Sequence, residues 1–374
     1  MRLPSLLAAL LLAVGCGGSP PVPRPDAGDQ APDAASAPDA AAPDLGEADA
    51  LVQDSGAEDS GAPDAGSPSS DAGLVDSGAS DGGLLLAERV EAARRTAENQ
   101  ALCTAITPFY WEVGDATGVL ASGRRGTITA TTEMPIASAS KWVFGMYVVE
   151  RFKDRPADID ARAMTMLSGY TSFDQCEQRQ TVAECQAMGN NGDFNLAHVD
   201  RFAYGGGHFQ KYAVDLGLGA LNNATLMAEY QRLLGAEIPL DFTQPQPAGG
   251  MRGSAAGYAI LLRKILSGGL AMKDHLGESA TCTLRGPSCP TALRSPGDEA
   301  MHYSYGHWVE DEPDVGDGAF SSAGAFGFYP WIDASKTHYG IVARRDFTGG
   351  GAGFDSLRCG RLIRKAFLTG AEVQ

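Results

Sequence analysis

The chain has few basic residues for its length, since its 374 residues include 29 Lys and Arg against 46 Asp and Glu. A formal net charge of −17 disfavours nucleic-acid binding, which needs a basic surface to meet the phosphates. The acidic excess is uneven, because residues 17–83 hold fourteen acidic side chains and a single basic one, Arg24. The rest of the chain is only mildly acidic. Neither part predicts a nucleic-acid partner.

Metal-binding patterns are also missing. The six histidines are scattered, and no two cysteines stand in a Cys-x-x-Cys spacing. Structural zinc sites normally combine such clustered Cys and His ligands. The sequence therefore predicts neither a metal site nor a bound cofactor.

Aromatic residues are absent from residues 17–83, which consist mainly of Ala, Asp, Pro, Gly and Ser. Such a segment has too little apolar surface to offset the entropy lost on ordering, so a disordered linker is predicted there. Apolar and aromatic residues become frequent from Leu84 onward. Residues 84–374 are therefore predicted to form one globular domain.

The N terminus has no apolar run long enough to span a bilayer. Arg2, the apolar residues 6–14 and the pair Gly15-Cys16 are instead typical of a bacterial lipoprotein signal over residues 1–16, with Cys16 as the lipidated residue. A plain cleaved secretory signal is the alternative, because Ala13 stands where leucine is more usual. Both interpretations predict export. Lipidation further predicts a membrane anchor, and Gly17, which is not acidic, favours the outer membrane.

Six cysteines remain once Cys16 is set aside, an even number that favours disulfides in an exported chain. The short spacings predict that Cys176 pairs with Cys185 and Cys282 with Cys289. Cys103 is then left to pair with Cys359, which would tie the start of the domain to its C-terminal helix.

Ser138-Ala139-Ser140-Lys141 is the stretch with the clearest chemical meaning. If it begins a helix, Ser138 and Lys141 lie one turn apart on the same face, within hydrogen-bonding reach. A serine needs an adjacent base to act as a nucleophile, and a lysine desolvated in a cleft can lose its proton and serve as that base. The apolar residues 142–149 that follow indicate burial of Lys141, whereas an isolated match would equally fit a helix cap and a solvated lysine.

The hydrophobic pattern alternates between helices and strands along the domain. It predicts a helix over 84–102, strands over 108–118 and 126–131 with a turn at Ser122-Gly123, and a helix over 138–151. Residues 155–255 are helical or irregular, and a helix follows to 266. Strands at 301–309, 323–332 and 339–345 precede a helix over 356–368. The order predicts an α+β fold, with an antiparallel sheet flanked by helices and an inserted helical subdomain.

In this order, residues 111–345 resemble the serine hydrolases of the β-lactamase and penicillin-binding-protein superfamily. The matching landmarks are Ser138-x-x-Lys141 and three segments, which are residues 111–118, 166–170 and 248–256. The resemblance is greatest to the class C branch, which also holds esterases, D-aminopeptidases and 6-aminohexanoate-dimer hydrolases. It implies a β-lactamase/transpeptidase-like fold and acyl-enzyme chemistry at Ser138.

The family's second motif is Tyr-x-Asn, and Tyr204 in Tyr204-Gly205-Gly206-Gly207-His208 is the matching residue. The resemblance implies that its phenol passes a proton to the leaving group. Gly206 stands where the family has asparagine, which removes an amide that contacts substrate. Tyr170 is a rival for the tyrosine, and His208 is a further candidate for substrate contact.

Two segments compete for the third motif, which the family writes Lys-Thr-Gly or His-x-Gly on a strand. Lys336-Thr337-His338 has similar letters but follows the expected strand end. Ser322-Ala323-Gly324 matches by position, before a strand predicted to begin at Ala325. This alignment implies an oxyanion hole made by the backbone N–H groups of Ser138 and Ala325.

The sequence thus predicts a cell-envelope serine hydrolase acting on a small-molecule or peptide ester or amide. The third motif without a cation and the missing asparagine disfavour substrates that carry a carboxylate, so a β-lactamase or D-Ala-D-Ala carboxypeptidase is the alternative. A further alternative is an inactive lipoprotein of this fold that binds an envelope ligand.

Overall fold

The computed structural model describes residues 85–348 and 350–374. The predicted signal peptide at 1–16, its lipidation site Cys16 and the predicted linker at 17–83 lie outside these residues.

The strands form one large antiparallel sheet and one small sheet. The large sheet has the order β2-β1-β11-β10-β9-β8-β7-β6, and β3-β5-β4 form the small sheet. The strands are β1 (Phe109–Gly114), β2 (Val119–Arg125), β3 (Met134–Pro135), β4 (Asp241–Phe242), β5 (Met251–Gly253), β6 (Thr281–Cys282), β7 (His302–Tyr303), β8 (Trp308–Glu310), β9 (Ala319–Ser321), β10 (Tyr329–Ile332) and β11 (Tyr339–Arg344).

The helices flank the large sheet or connect its two halves. They are α1 (Leu86–Asn99), α2 (Ala101–Thr104), α3 (Ser140–Arg151), α4 (Ala161–Met164), α5 (Val182–Gln186), α6 (Gly207–Ala213), α7 (Asn223–Leu234), α8 (Ala255–Leu266), α9 (Met272–His275) and α10 (Ala352–Thr369). Within the described ranges, none of these helices is both long and apolar enough to cross a membrane.

The large sheet joins the two ends of the domain. Strand β1 pairs with β11 in antiparallel register, with Trp111 opposite Val342, so the first strand lies beside the last. Helix α10 packs on β10 and β11, as does α8, and the residues of β11 are buried almost throughout. Because an antiparallel sheet with helices on it is built from both ends of the domain, the predicted α+β architecture is confirmed.

Helix α3 lies in the core of the domain. Residues 140–149 are all buried, which fits their apolar sequence and leaves no solvated face. Helix α7 packs on one part of α3, and the stacked rings of Tyr147 and Tyr230 join the two helices. Ser138 and Lys141 therefore lie at the start of a helix that is buried in the core.

Several predicted boundaries were wrong near the first hairpin. The turn lies at residues 115–118, where the Asp115 carboxylate accepts hydrogen bonds from the backbone N–H groups of Thr117 at 2.7 Å and Gly118 at 3.1 Å. Ser122 and Gly123 are inside β2, and residues 126–131 form no strand. Hydrogen bonds to the Asp115 carboxylate stabilise the turn at 115–118, whereas Gly123, which was taken to mark the turn, lies within a strand.

All three predicted disulfides are present. Cys103 is bonded to Cys359, and the two short loops are closed by Cys176–Cys185 and Cys282–Cys289. The first of these links α2 to α10, because Cys103 belongs to α2 and Cys359 to α10. It therefore joins the beginning of the domain to its end.

Candidate active site

Ser138 lies in a tight turn directly before α3. The turn is a 3₁₀ helix over Ala137–Ala139, and Ala137 has φ of 45°, a left-handed conformation that costs energy for a residue with a Cβ. The buried Ser140 holds this turn in place, since its hydroxyl donates to the Ala137 carbonyl at 2.6 Å and accepts from the Met251 N–H at 3.2 Å. The strained backbone is thereby fixed against β5 and presents Ser138 in one position.

Lys141 is adjacent to Ser138, as the helical spacing predicts. Its Nζ donates to Ser138 Oγ at 3.1 Å and to the carbonyl oxygen of Ala248 at 2.7 Å. The lysine is only 4% exposed, and burial lowers its pKa to about 7. A substantial fraction of this side chain is therefore the neutral amine at physiological pH, which can accept a proton.

Tyr204 lines the same cleft as Ser138. Its ring stacks on Trp308 with centroids 5.3 Å apart, and Lys141 Nζ is 4.7 Å from its ring centroid. Burial raises the pKa of the Tyr204 phenol well above its usual value, although the Ser138 hydroxyl acts in the opposite direction. Tyr204 therefore keeps its proton at neutral pH. At neutral pH the Lys141 amine can therefore accept a proton, whereas the Tyr204 phenol can donate one.

Contrary to the prediction, two of the residues expected to bind substrate near Tyr204 do not line the cleft. A Cβ on Gly206 would lie 2.7 Å from the ring of Phe173, so that ring occupies the direction in which an asparagine side chain would extend. His208 is fully buried: its Nε2 donates to the Ala203 carbonyl and its Nδ1 accepts from Ser168 Oγ. Burial lowers the pKa of His208 to about 4, so it is a neutral structural residue.

In the third motif, some residues are buried behind the nucleophile and others line the cleft. Ser322 is buried and donates its hydroxyl to the Ser138 carbonyl at 3.1 Å, so it supports the nucleophile rather than binding substrate. Gly324 is buried as well, and a Cβ there would lie 2.2 Å from the Ile136 carbonyl. Only Ala323 and Ala325 of this segment line the cleft.

The prediction that a strand begins at Ala325 was also wrong, because residues 322–328 form a loop between β9 and β10. The rival segment with Lys336 lies in the turn between β10 and β11, and Lys336 Nζ donates to the carbonyl of Lys273. It is not among the residues that line the cleft. The other rival is Tyr170, whose ring centroid lies 5.1 Å from that of Phe194. Tyr170 does not line the cleft either.

The cleft beside Ser138 has a volume of about 140 Å³. Its lining residues are apolar or small apart from the nucleophile and the tyrosine: Ser138, Tyr204, Pro296, Trp308, Ala323, Ala325, Gly351, Gly353 and Phe354. Within residues 85–348 and 350–374, the backbone N–H groups of Ser138 and Ala325 donate to no protein acceptor. Two free donors beside a nucleophile fit the predicted oxyanion hole.

Metal-assisted chemistry has no ligand cluster to build on in the described part of the chain. No group of three or more His, Cys, Asp or Glu side chains there is arranged to hold a metal ion. The groups that lie together at this site are a serine hydroxyl, an amine, a phenol and backbone amides.

No family model matches the sequence, and no curated protein does so either. Solved structures do match across most of the domain. A β-lactamase from Mycobacterium bovis superposes with a TM-score of 0.51 at 13% identity, covering 74% of this chain and 98% of the other. EstCE1, a hydrolase with promiscuous acyltransferase activity, superposes with a TM-score of 0.53 at 12% identity, covering 76% of this chain and 98% of the other.

A penicillin-binding protein from Bacillus halodurans superposes with a TM-score of 0.51 at 10% identity, covering 71% of this chain and 98% of that one. The domain has the β-lactamase/transpeptidase fold. Identities this low establish the shared fold and no more. The predicted fold class is confirmed, while the class C branch remains a prediction.

Sequence reasoning missed three groups that shape the site. Trp308 stacks on Tyr204, Phe354 closes the cleft from α10, and the Ala248 carbonyl accepts from Lys141. Trp308 lies in β8, the second strand of a hairpin that was wrongly predicted as one continuous strand over 301–309. Nothing local to Phe354 or Ala248 signals their contacts, which are made between segments far apart in the chain.

Proposed function

We propose that this protein is a serine hydrolase that forms an acyl-enzyme at Ser138. The observation that supports it most is the Lys141 amine, which is buried, has a pKa near 7 and lies 3.1 Å from the Ser138 hydroxyl. Serine nucleophiles require this kind of adjacent base. Superposition on a β-lactamase and on a hydrolase agrees with the chemistry without assigning a substrate.

The proposed reaction has two halves. Ser138 Oγ forms a bond to the substrate carbonyl carbon while its proton passes to Lys141 Nζ, and the amides of Ser138 and Ala325 stabilise the oxyanion. The bond to the leaving group then breaks as Tyr204 donates a proton to it, and Lys141 restores the proton of Tyr204. In the second half, water attacks the acyl carbon and loses a proton to Lys141 Nζ. The bond between the acyl carbon and Ser138 Oγ then breaks, and Lys141 returns the proton to Oγ as the acid is released.

An ester or small amide is the substrate class that we favour. The described lining residues include no cation that could pair with a carboxylate, and the asparagine of the second motif is replaced by Gly206 with Phe173 against it. We also propose, from the sequence pattern around Cys16, that the protein is exported and anchored to the outer membrane. The substrate would then be met at the cell envelope.

Active-site labelling tests the proposal. Purified full-length protein is expected to react covalently with a fluorophosphonate probe, with the modification mapped to Ser138 by mass spectrometry, and Ser138→Ala is expected to remain unlabelled. If no acylating reagent modifies Ser138 in folded protein, the enzyme proposal is wrong and the ligand-binding alternative is favoured. Rapid turnover of a chromogenic cephalosporin would instead favour the β-lactamase alternative.

The pH dependence of activity should follow Lys141. Below pH 7 the amine is protonated and cannot accept the serine proton, so kcat/KM is expected to rise through an inflection near pH 7 and then level off. The profile would be measured with an uncharged ester between pH 5 and 9, with folding monitored at each pH. A flat profile over that range would contradict the assignment of Lys141 as the base.

A further inference from the structure

The cleft beside Ser138 is small. Its volume of about 140 Å³ is close to that of engineered apolar cavities of about 150 Å³, which hold one benzene molecule. A substrate group that lies wholly within this open cleft can therefore have about six non-hydrogen atoms. Longer chains must either leave the cleft or displace a wall.

The same cleft provides no counter-charge. Its described lining residues are apolar, aromatic or small apart from Ser138 and Tyr204, and the nearby Lys141 amine is already directed at Ser138 and the Ala248 carbonyl. A carboxylate placed here would lose its hydration without gaining a paired cation, which is costly. The enclosed group is therefore uncharged.

Phe354 forms one wall of this cleft and is held firmly. It lies in the first turn of α10, is only 9% exposed, and meets the Trp308 ring edge to face with centroids 6.2 Å apart. The α10 backbone beside it lies close to the loop between β9 and β10, because a Cβ on Gly353 would lie 2.5 Å from the Gly324 carbonyl oxygen. The Phe354 ring therefore packs against Trp308 and is carried by a helix that lies close to the neighbouring loop.

We infer that Phe354 determines specificity by limiting the substrate group between Ser138 and α10 to an uncharged moiety of about six non-hydrogen atoms. This inference rests on the proposed serine hydrolase activity. Both the acyl group and the alcohol of an ester could supply that moiety. The restriction is the same for either, and two substrate series distinguish them.

The first experiment measures kcat/KM for wild-type protein on p-nitrophenyl acetate, butanoate and octanoate, and on ethyl, butyl and octyl acetate. In the series whose variable group occupies the cleft, we expect kcat/KM to rise about fourfold for each methylene that fits. It should then fall by at least about tenfold at the eight-carbon member. p-Nitrophenyl hydrogen succinate, compared with p-nitrophenyl pentanoate of similar size, is expected to react at least about tenfold more slowly. Equal rates for short and long members of both series would overturn the inference.

The second experiment removes the wall. Phe354→Ala is expected to raise kcat/KM for the excluded octyl substrate by about tenfold relative to the shortest member, and Phe354→Leu by less. Phe354→Leu keeps most of the packing, so it remains informative if the alanine variant is unstable, and thermal unfolding identifies that case.

Phe347→Ala is the matched control, because Phe347 is 60% exposed, packs on Phe326 and does not line the cleft. Its chain-length profile is expected to equal that of wild type. A shift as large as that of Phe354→Ala would contradict the inference. Labelling of Ser138 by a fluorophosphonate separates the two hypotheses: labelled protein without size selectivity refutes only the role of Phe354, whereas unlabelled protein refutes the hydrolase itself.

Discussion

Replacing Lys141 by methionine is expected to lower kcat/KM by about three orders of magnitude, because general bases contribute factors of about 10² to 10⁴. Methionine fills a similar volume but cannot accept the serine proton. The free energy of unfolding should rise or change very little, since the buried position holds an amine whose pKa is lowered to about 7 by desolvation. The protonated form is therefore disfavoured by folding, and an apolar side chain avoids that cost.

Two readouts separate this catalytic role from a structural one. The inflection near pH 7 should disappear from the residual activity of Lys141→Met, while urea unfolding at pH 7 should show a midpoint at or above that of wild type. Lys365→Met is the matched control, because Lys365 is exposed on α10, and we expect its kcat/KM to be unchanged. A well-folded Lys141→Met variant with activity within a factor of ten of wild type would refute the base assignment.

Replacing Arg364 by leucine is expected to destabilise the domain by about 3–5 kcal/mol, the usual range for breaking a buried ion pair from one side. Arg364 is fully buried on α10 and donates to Glu310 Oε2 at 2.7 Å, to Asp317 Oδ2 at 2.7 Å and to the Tyr329 hydroxyl at 2.9 Å. Without it, the fully buried Glu310 loses a main counter-charge. Unfolding in urea at pH 7 measures the difference.

The matched control for Arg364→Leu is Arg358→Leu on the same helix. The Arg358 side chain is 43% exposed and pairs with Glu299 and Asp355, so its loss should cost less than about 1 kcal/mol. Equal losses for the two variants would show that the α10 network is no stronger than a surface pair.

The penalty of Arg364→Leu should also shrink in acid. Burial alone would raise the pKa of Glu310, but Arg364 and Arg361 outweigh it and lower the pKa to about 2. A carboxyl with a lowered pKa stabilises the fold above its unfolded-state pKa of about 4.5, and that stability is lost as the pH falls towards 2. The variant lacks most of this contribution. The difference between wild type and variant should therefore be smaller at pH 3 than at pH 7, and a constant difference would contradict the charge-based explanation.

Local residue spacing accounts for the features that were predicted correctly. Ser138 and Lys141 are three positions apart at the start of a helix, so their contact depends on helical geometry alone. Cys176–Cys185 and Cys282–Cys289 close short loops, and these left one remaining pair. The first hairpin shows the limit of the same reasoning, since the Asp115 carboxylate placed the turn before the glycine that had been taken as its marker.

The predictions about substrate contacts were less accurate, because these contacts depend on segments that are far apart in the chain. His208 and Ser322 are polar residues in the expected motifs, yet both are buried and use their hydrogen bonds inside the protein. Gly206 matches the position of the missing asparagine, but the ring against it comes from Phe173 in another loop. A motif indicates where a residue lies along the chain and not which side of the backbone faces the cleft.

The sequence by itself determined the α+β architecture, the disulfide pairing and the adjacency of Ser138 and Lys141, because these follow from periodicity, residue spacing and helical geometry. Only the tertiary structure decided the protonation of the pair and the shape of the cleft. The lowered pKa of Lys141 arises from burial within the domain, and one wall of the cleft is Phe354 on α10, a helix far from Ser138 in the chain. Desolvation and packing between distant segments have no local pattern in the sequence, so the folded chain is needed to reveal them.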